Sequence, residues 1–412
     1  MTEIVQNEER KIWSILAILL TLATAVSRNL VDLLFVLSAL IIIYHDFKSC
    51  KLRGLKQIFS NLKYASILIG VWTVANIAGY FCSSGVGPLQ LKEILSLRWV
   101  LSFYVCIYLG MHMAFRESVF RKIAVAYCLI LLVSTYLQYF VFAQFGRFQG
   151  LFENPNIAAF CIAMPLVFLF VWESVSYQET KKIDWTLSVC SLFLAILIFF
   201  TLGRGIWISV IFSFFVISLL LKIKRNLLVA IIASCFIGGL FAGNVFGLKD
   251  RVMYSFDTTE NSSQGIRFLL WRSNWEILKD YPLFGVGYLE NYRLEIPYFK
   301  KIGISSYVDE TNQYSSHAHN DLLQVAVGGG VVAVISFCLL FGGAIKLSYG
   351  VFRRSRSQEI RMFALGGLAI LIVFLGMGIF DSPFVIPFSR NSFLIFFGLC
   401  LGRMQRMSKG SI

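Results

Sequence analysis

Ser315-Ser316-His317-Ala318-His319-Asn320-Asp321 runs without a break into the apolar stretch Leu322–Leu347. That step from polar turn to apolar run decides the fold. A helix needs roughly 20 apolar residues to cross a hydrocarbon core, and this stretch supplies them. Two imidazoles therefore stand where water meets membrane, at a helix N-terminus. Asn320 or Asp321 is suited to accept hydrogen bonds from the helix's first N–H groups. Capping explains those two residues but not the histidines. An imidazole at a membrane edge is the residue type of a general base working near neutral pH.

Runs of the same kind recur along the chain. They are expected at Ile12–Val26, Leu30–Tyr44, Tyr64–Phe81, Trp99–Phe115, Ile123–Phe142, Ala158–Trp172, Trp185–Leu202, Ile206–Leu221, Leu227–Val245, Leu322–Leu347, Met362–Phe380 and Ser392–Leu401. The first two meet at Ser27-Arg28-Asn29 and could be one interrupted helix; the last could extend past Leu401. The expected fold class is an all-α polytopic membrane protein with about twelve transmembrane helices. Composition agrees: of 412 residues 57% are hydrophobic and 15% charged, against about a quarter charged in soluble chains.

The net charge of +14 reads as topology, not nucleic-acid binding. With the N-terminus inside, the clusters Lys48–Lys63, Lys222–Arg225, Lys346–Arg361 and Arg403–Lys409 all fall on the cytoplasmic side, as the positive-inside rule requires. Both termini are then inside and the long loop faces out. Residues 1–245 carry helices one to nine, 246–320 form the loop with amphipathic helices, and 321–412 carry helices ten to twelve, all one membrane domain. The polar N-terminus, Met1 to Lys11, reads as a cytoplasmic tail rather than a signal peptide. The nine cysteines form no CxxC pair and read as small buried hydrophobes.

Within the loop, Gly265–Lys279 is amphipathic, with Ile266, Leu269, Leu270, Ile277 and Leu278 at helical spacing. Trp271 and Trp275 suit a helix lying at the interface. Pro282, Gly285 and Gly287 break it; without a strand before or a helix after, this GxG is no dinucleotide fingerprint. His317-Ala318-His319 could hold a metal, but no further ligand stands at a fixed spacing nearby; Asp309, Glu310 and Asp321 would serve only if the loop folded back. No metal and no cofactor is expected. Among the short connections, Arg204 sits between Gly203 and Gly205, which permit close approach, either as an interfacial anchor or as a ligand-binding cation. Phe145–Asn156 carries Arg147 and the turn formers Asn154-Pro155-Asn156.

Three stretches together resemble the O-antigen ligase and polymerase superfamily of bacterial inner membranes. They are Gly203-Arg204-Gly205, the segment Gly265-Ile266-Arg267 through Trp271 to Gly287, and His317-Ala318-His319-Asn320-Asp321-Leu322-Leu323-Gln324. Asn154-Pro155-Asn156 looks like the family's turn before a middle span, and Gly330-Val331-Val332-Ala333 follows His319-Asn320 where the ligases carry Gly-x-x-Gly. The resemblance covers roughly Gly146 to Ala333. It implies a GT-C-like glycosyltransferase in the Gram-negative inner membrane, with a periplasmic active site. The donor would be an undecaprenyl-pyrophosphate-linked glycan and the acceptor lipid A-core, among membrane lipids and without nucleic acid. By motif match His319 is the base, and Arg204 and Arg267 bind pyrophosphate. His317, Arg272, Arg147, Asn156 and Asn320 are further candidates for substrate contact. One long loop, twelve spans and the chain length favour a ligase over a polymerase, and a protein O-glycosyltransferase of the same superfamily would carry a larger soluble part. A transporter of the lipid-linked glycan is the alternative from another class. It would need charges deep within the spans, of which Asp32, four residues after Arg28, is the clearest.

Overall fold

The computed structural model describes residues 2–50, 53–83, 99–114, 116–226, 263–303 and 317–407, with isolated positions between 231 and 243. All regular structure among them is helical. In chain order the helices are α1 (Thr2–Ala23), α2 (Arg28–Cys50), α3 (Arg53–Asn61), α4 (Lys63–Cys82), α5 (Trp99–His112), α6 (Glu117–Tyr136), α7 (Pro155–Thr180), α8 (Trp185–Phe200), α9 (Arg204–Leu221), α10 (Ser263–Asp280), α11 (Asn291–Lys301), α12 (Asp321–Arg354), α13 (Gln358–Phe380) and α14 (Pro387–Met407). Seven are long and apolar enough to cross a membrane, and α5 and α8 are shorter apolar helices. The chain is a polytopic α-helical membrane protein. A helix lies at eleven of the twelve expected crossings; the other, Leu227–Val245, falls mostly outside the described residues. The short α3 was not anticipated, and α1 and α2 are separate helices.

Two helices form the centre. The apolar window of α7 is 89% buried and that of α13 72%, against 28% for α2, α4 and α6. α13 packs on α7, α9, α12 and α14, and its Phe374 ring stacks on Phe393 with centroids 3.9 Å apart. In lipid such packing rests on dispersion and fit, because the tails outside are as apolar as the core.

Local chemistry sets the helix starts. Asn154 caps α7 by accepting from the N–H groups of Asn156 and Ile157, and Pro155 follows at the first helical position. Asn320 caps α12, accepting from the Leu323 N–H at 2.9 Å. α12 then breaks at Gly330, where φ is +64° and an added Cβ would sit 2.1 Å from the Leu283 carbonyl oxygen. The break receives the segment after α10. Val286 and Gly287 donate to the Val327 and Gly328 carbonyls at 2.8 Å, and Val331 donates to that of Pro282 at 2.9 Å. Gly285, with φ +63°, stands where a Cβ would meet the Val327 oxygen. The Pro282–Gly287 glycines thus let one backbone dock on another, and Gly330 provides that docking more than helix-to-helix contact.

Candidate active site

The site gathers where α12 begins, α13 ends and the turn between α8 and α9 returns. Asp381, the residue after α13, is buried at 4% exposure. His319 Nδ1 lies 2.9 Å from its Oδ1 and His317 Nε2 lies 3.7 Å from the same atom. Burial acts to raise the Asp381 carboxyl, but hydrogen bonding and charge from His317 and His319 outweigh it and hold the group well below the usual carboxylate range. An ionised carboxylate only accepts, so the His319 Nδ1 carries the proton and donates it. The Nε2 lone pair is thereby left to act as a base, the arrangement of the aspartate–histidine half of a catalytic triad.

The backbone around these histidines is clamped. The Ala318 N–H donates to Gln324 Oε1 and its carbonyl accepts from Trp271 Nε1, both at 2.8 Å. Gln324 in turn donates to Asn291 Oδ1, and Asn291 donates to Asn274 Oδ1, each at 2.8 Å. Asn274, Asn291 and Gln324 are all buried. A fully satisfied buried amide chain is rigid, since breaking any link strands its partner in low dielectric. It ties α10, α11 and α12 to the one residue between the two imidazoles. His319 itself has φ +50°, a left-handed conformation costing roughly 1–2 kcal/mol outside glycine. Such strain persists where surroundings over-determine it, commonly at working sites.

The sequence candidates divide. Asn156 donates from Nδ2 to Asp381 Oδ2 at 3.3 Å, and its Oδ1 accepts from Arg147 Nη2 at 2.8 Å. Arg147 also donates to the Thr201 carbonyl at 2.6 Å. Both therefore stand behind the aspartate. Arg204 opens α9, half-buried. The neighbouring Gly205 is pressed on Phe380, where a Cβ would come within 2.8 Å of the Phe380 Cβ; this brings the N-terminus of α9 beside Asp381. Arg267, also half-buried, lies one turn before Trp271 on α10, the helix that holds Ala318. Arg272 is exposed, and no contact among the described residues joins it to the histidines. Asn320 is the α12 cap and donates to the Ile379 carbonyl at 3.2 Å.

Three corrections follow. A third metal-type ligand does exist, because Asp381 arrives from 62 residues beyond His319. The donor atoms of His317, His319 and Asp381 lie within 4.8 Å of one another and could hold a metal ion. Of the ligands considered from sequence, Asp309 and Glu310 lie outside the described residues. Asp321 is buried and accepts from the Phe384 N–H at 3.1 Å, so its carboxylate is already engaged. Arg390, which falls between the expected crossings Met362–Phe380 and Ser392–Leu401, lies inside α14, is buried and donates to the Tyr288 hydroxyl at 2.8 Å. The buried face of α10 is not purely apolar, since Ser273 and Asn274 are buried there beside Leu270 and Ile277.

The described residues thus form a helical bundle with an imidazole oriented by a buried carboxylate and with arginine-bearing helix ends around it. Residues 189–338 match the family model described as O-antigen ligase. The match takes in Arg204, Arg267, His317 and His319. No curated protein matches the chain.

Proposed function

We propose that the protein is an O-antigen ligase, an inverting glycosyltransferase of the periplasmic face of the inner membrane. It would move a glycan from undecaprenyl pyrophosphate to lipid A-core, with both chain termini in the cytoplasm. The observation that carries the reading is the His319–Asp381 pair at the start of α12, in a chain whose residues 189–338 match the O-antigen ligase family. The acceptor hydroxyl attacks the anomeric carbon and its proton passes to His319 Nε2. The bond from that carbon to the phosphate oxygen breaks, and undecaprenyl pyrophosphate leaves with the electron pair. Attack opposite the leaving group inverts the anomeric centre. Arg204 and Arg267 hold the pyrophosphate, since guanidinium is always charged and binds phosphate oxygens bidentately. Asp381 keeps the imidazole in the right tautomer and favours the imidazolium that forms. The apolar cavity of 660 Å³ between Trp271, Trp275, Asn320 and Leu322 takes the first isoprene units beside the site. The ligase branch is preferred to the polymerase because the sequence has one long loop and not two.

The test uses purified protein in detergent with a synthetic polyprenyl-pyrophosphate glycan, with and without EDTA. Product is followed by gel shift on lipid A-core, with His319→Ala and Arg267→Ala alongside. The expected result is transfer to lipid A-core that both substitutions abolish and the chelator leaves intact. Loss with EDTA and recovery with a divalent cation would assign the three-ligand cluster to a metal. Chain growth on the donor alone would mean a polymerase. Absence of transfer, with donor trapped on the cytoplasmic side in mutant cells, would mean a transporter.

A further inference from the structure

The far end of α12 carries a second feature that glycosyl transfer does not use. α12 is 34 residues long with a break at Gly330, and the stretch from Val331 to Arg354 beyond the break spans roughly 36 Å at helical rise, so its C-terminal turns lie far from the histidines. There a hollow of about 850 Å³ opens between the end of α12 and the start of α13. Lys346, Arg354 and Arg356 line it together with Ser355 and Ser357, and no carboxylate does. All three cations are exposed, and none pairs with a carboxylate among the described residues. Other cations of this end do pair: Arg361 lies 3.9 Å from Glu179, and Arg403 lies 2.5 Å from Glu359.

The hollow does not end at its charged rim. Gly343 and Leu347 line it, and they also line a second cavity of about 310 Å³ that reaches into the bundle. That inner cavity is walled by side chains such as Leu68, Phe103, Phe393 and Leu401. A Cβ added at Gly343 or Gly350 meets nothing within 4 Å, so the passage along α12 is open. A cationic mouth continuous with an apolar interior is complementary to one shape of molecule, an anionic head on a hydrocarbon tail. Topological charge alone requires basic residues on this side, but not that the unpaired ones should ring the entrance to an apolar cavity.

We propose that this groove binds an anionic phospholipid of the surrounding membrane, its phosphate on Lys346, Arg354 and Arg356 and an acyl chain passing Gly343 into the bundle. Basic pockets between transmembrane helices recognise acidic lipid head groups in this way. The site is separate from the histidine site, and its occupancy does not depend on which glycan is transferred.

The experiment uses the full chain purified in a neutral detergent. Phosphatidylglycerol, phosphatidylethanolamine, undecaprenyl phosphate and glycerol phosphate are each titrated in. Bound lipid is read by native mass spectrometry and thermal unfolding in parallel. The variants are Lys346→Gln/Arg354→Gln/Arg356→Gln and Gly343→Phe, the latter placing a ring in the passage at a position where the added Cβ meets no protein atom within 4 Å. The expected result is saturable retention of phosphatidylglycerol with a rise in Tm. Retention falls about a hundredfold in the triple variant, at roughly fivefold per cation. It also falls in Gly343→Phe, while glycerol phosphate, which has no chain, shifts neither protein. Equal retention by wild type and both variants overturns the proposal. So does equal retention of phosphatidylethanolamine, or tighter retention of undecaprenyl phosphate than of phosphatidylglycerol.

Discussion

The helix pair α12–α13 ends in charged side chains at both extremities, and the two ends are built on opposite plans. At the N-terminus of α12 the charge is buried and partnered. Asp381, with His317 and His319 against it, is backed by Asn156 and Arg147. At the C-terminus Lys346, Arg354 and Arg356 are exposed around an open hollow, without carboxylate partners among the described residues. A buried ionised group is stable only if its hydrogen bonds are supplied, and supplying them fixes its orientation. An exposed, unpaired cation costs little and keeps its field for what comes to it. The first plan suits a group that must hold a proton at one atom. The second suits a group that must receive a mobile anion.

Breaking the buried end should have the largest effect. His319→Ala and Asp381→Asn should each lower kcat about a hundred- to ten-thousandfold. The checks are transfer kinetics with saturating donor, and circular dichroism to show an intact fold. Because Asp381 titrates well below the usual carboxylate range, its stabilising contribution is fully present above the unfolded value of about 3.9 and is lost progressively as pH falls below it. Across the neutral range the Asp381 carboxylate itself stays ionised.

Arg204→Lys and Arg267→Lys keep the charge but lose the bidentate fork. Each should cost about ten- to a hundredfold in kcat/KM, as expected for about 1.5–3 kcal/mol of charged hydrogen bonding. Arg272→Ala, on the exposed side of α10, should change the rate less than about twofold. Loss as large as that of Arg267→Lys would transfer the pyrophosphate role to it.

The amide chain sharpens the comparison. Gln324→Leu strands the Ala318 N–H and Asn291 Oδ1. The expected loss is about 1–3 kcal/mol of stability, read as a lower denaturation midpoint, together with a fall in kcat that exceeds the change in KM. Gln324→Glu, which retains the acceptor for Ala318, should recover part of the rate.

The last effect is one of pH, read on stability and not on rate. Glu295, on α11 beside this chain, is buried at 2% exposure, and burial pushes its carboxyl up to about 9. The folded protein then keeps a proton that the unfolded chain releases above about 4.3. Stability is therefore lost as pH rises from there towards 9. Glu295→Gln should flatten that decline, so that the variant melts above wild type at pH 8–9 and converges with it in acid.

The membrane class and the helices were legible in the sequence because hydrocarbon sets both length and composition of a crossing. The caps were legible at Asn154 and Asn320, where a short polar side chain before an apolar run has one good use. His319, Arg204 and Arg267 were singled out by motifs whose residue types carry chemistry wherever they fold. Asp381 was not legible. It stands 62 residues from His319 at the end of an apolar helix, where an aspartate reads as an ordinary helix stop. Nor was the clamp on Ala318, since Gln324 looks like a polar residue on an amphipathic turn and Asn291 like a loop residue. The separation of Gly330 from Leu283 hid why that glycine is needed. Local chemistry, which depends on neighbours within a turn or two, is written along the chain. Which carboxylate faces which imidazole depends on how helices pack, and only the tertiary structure decided that.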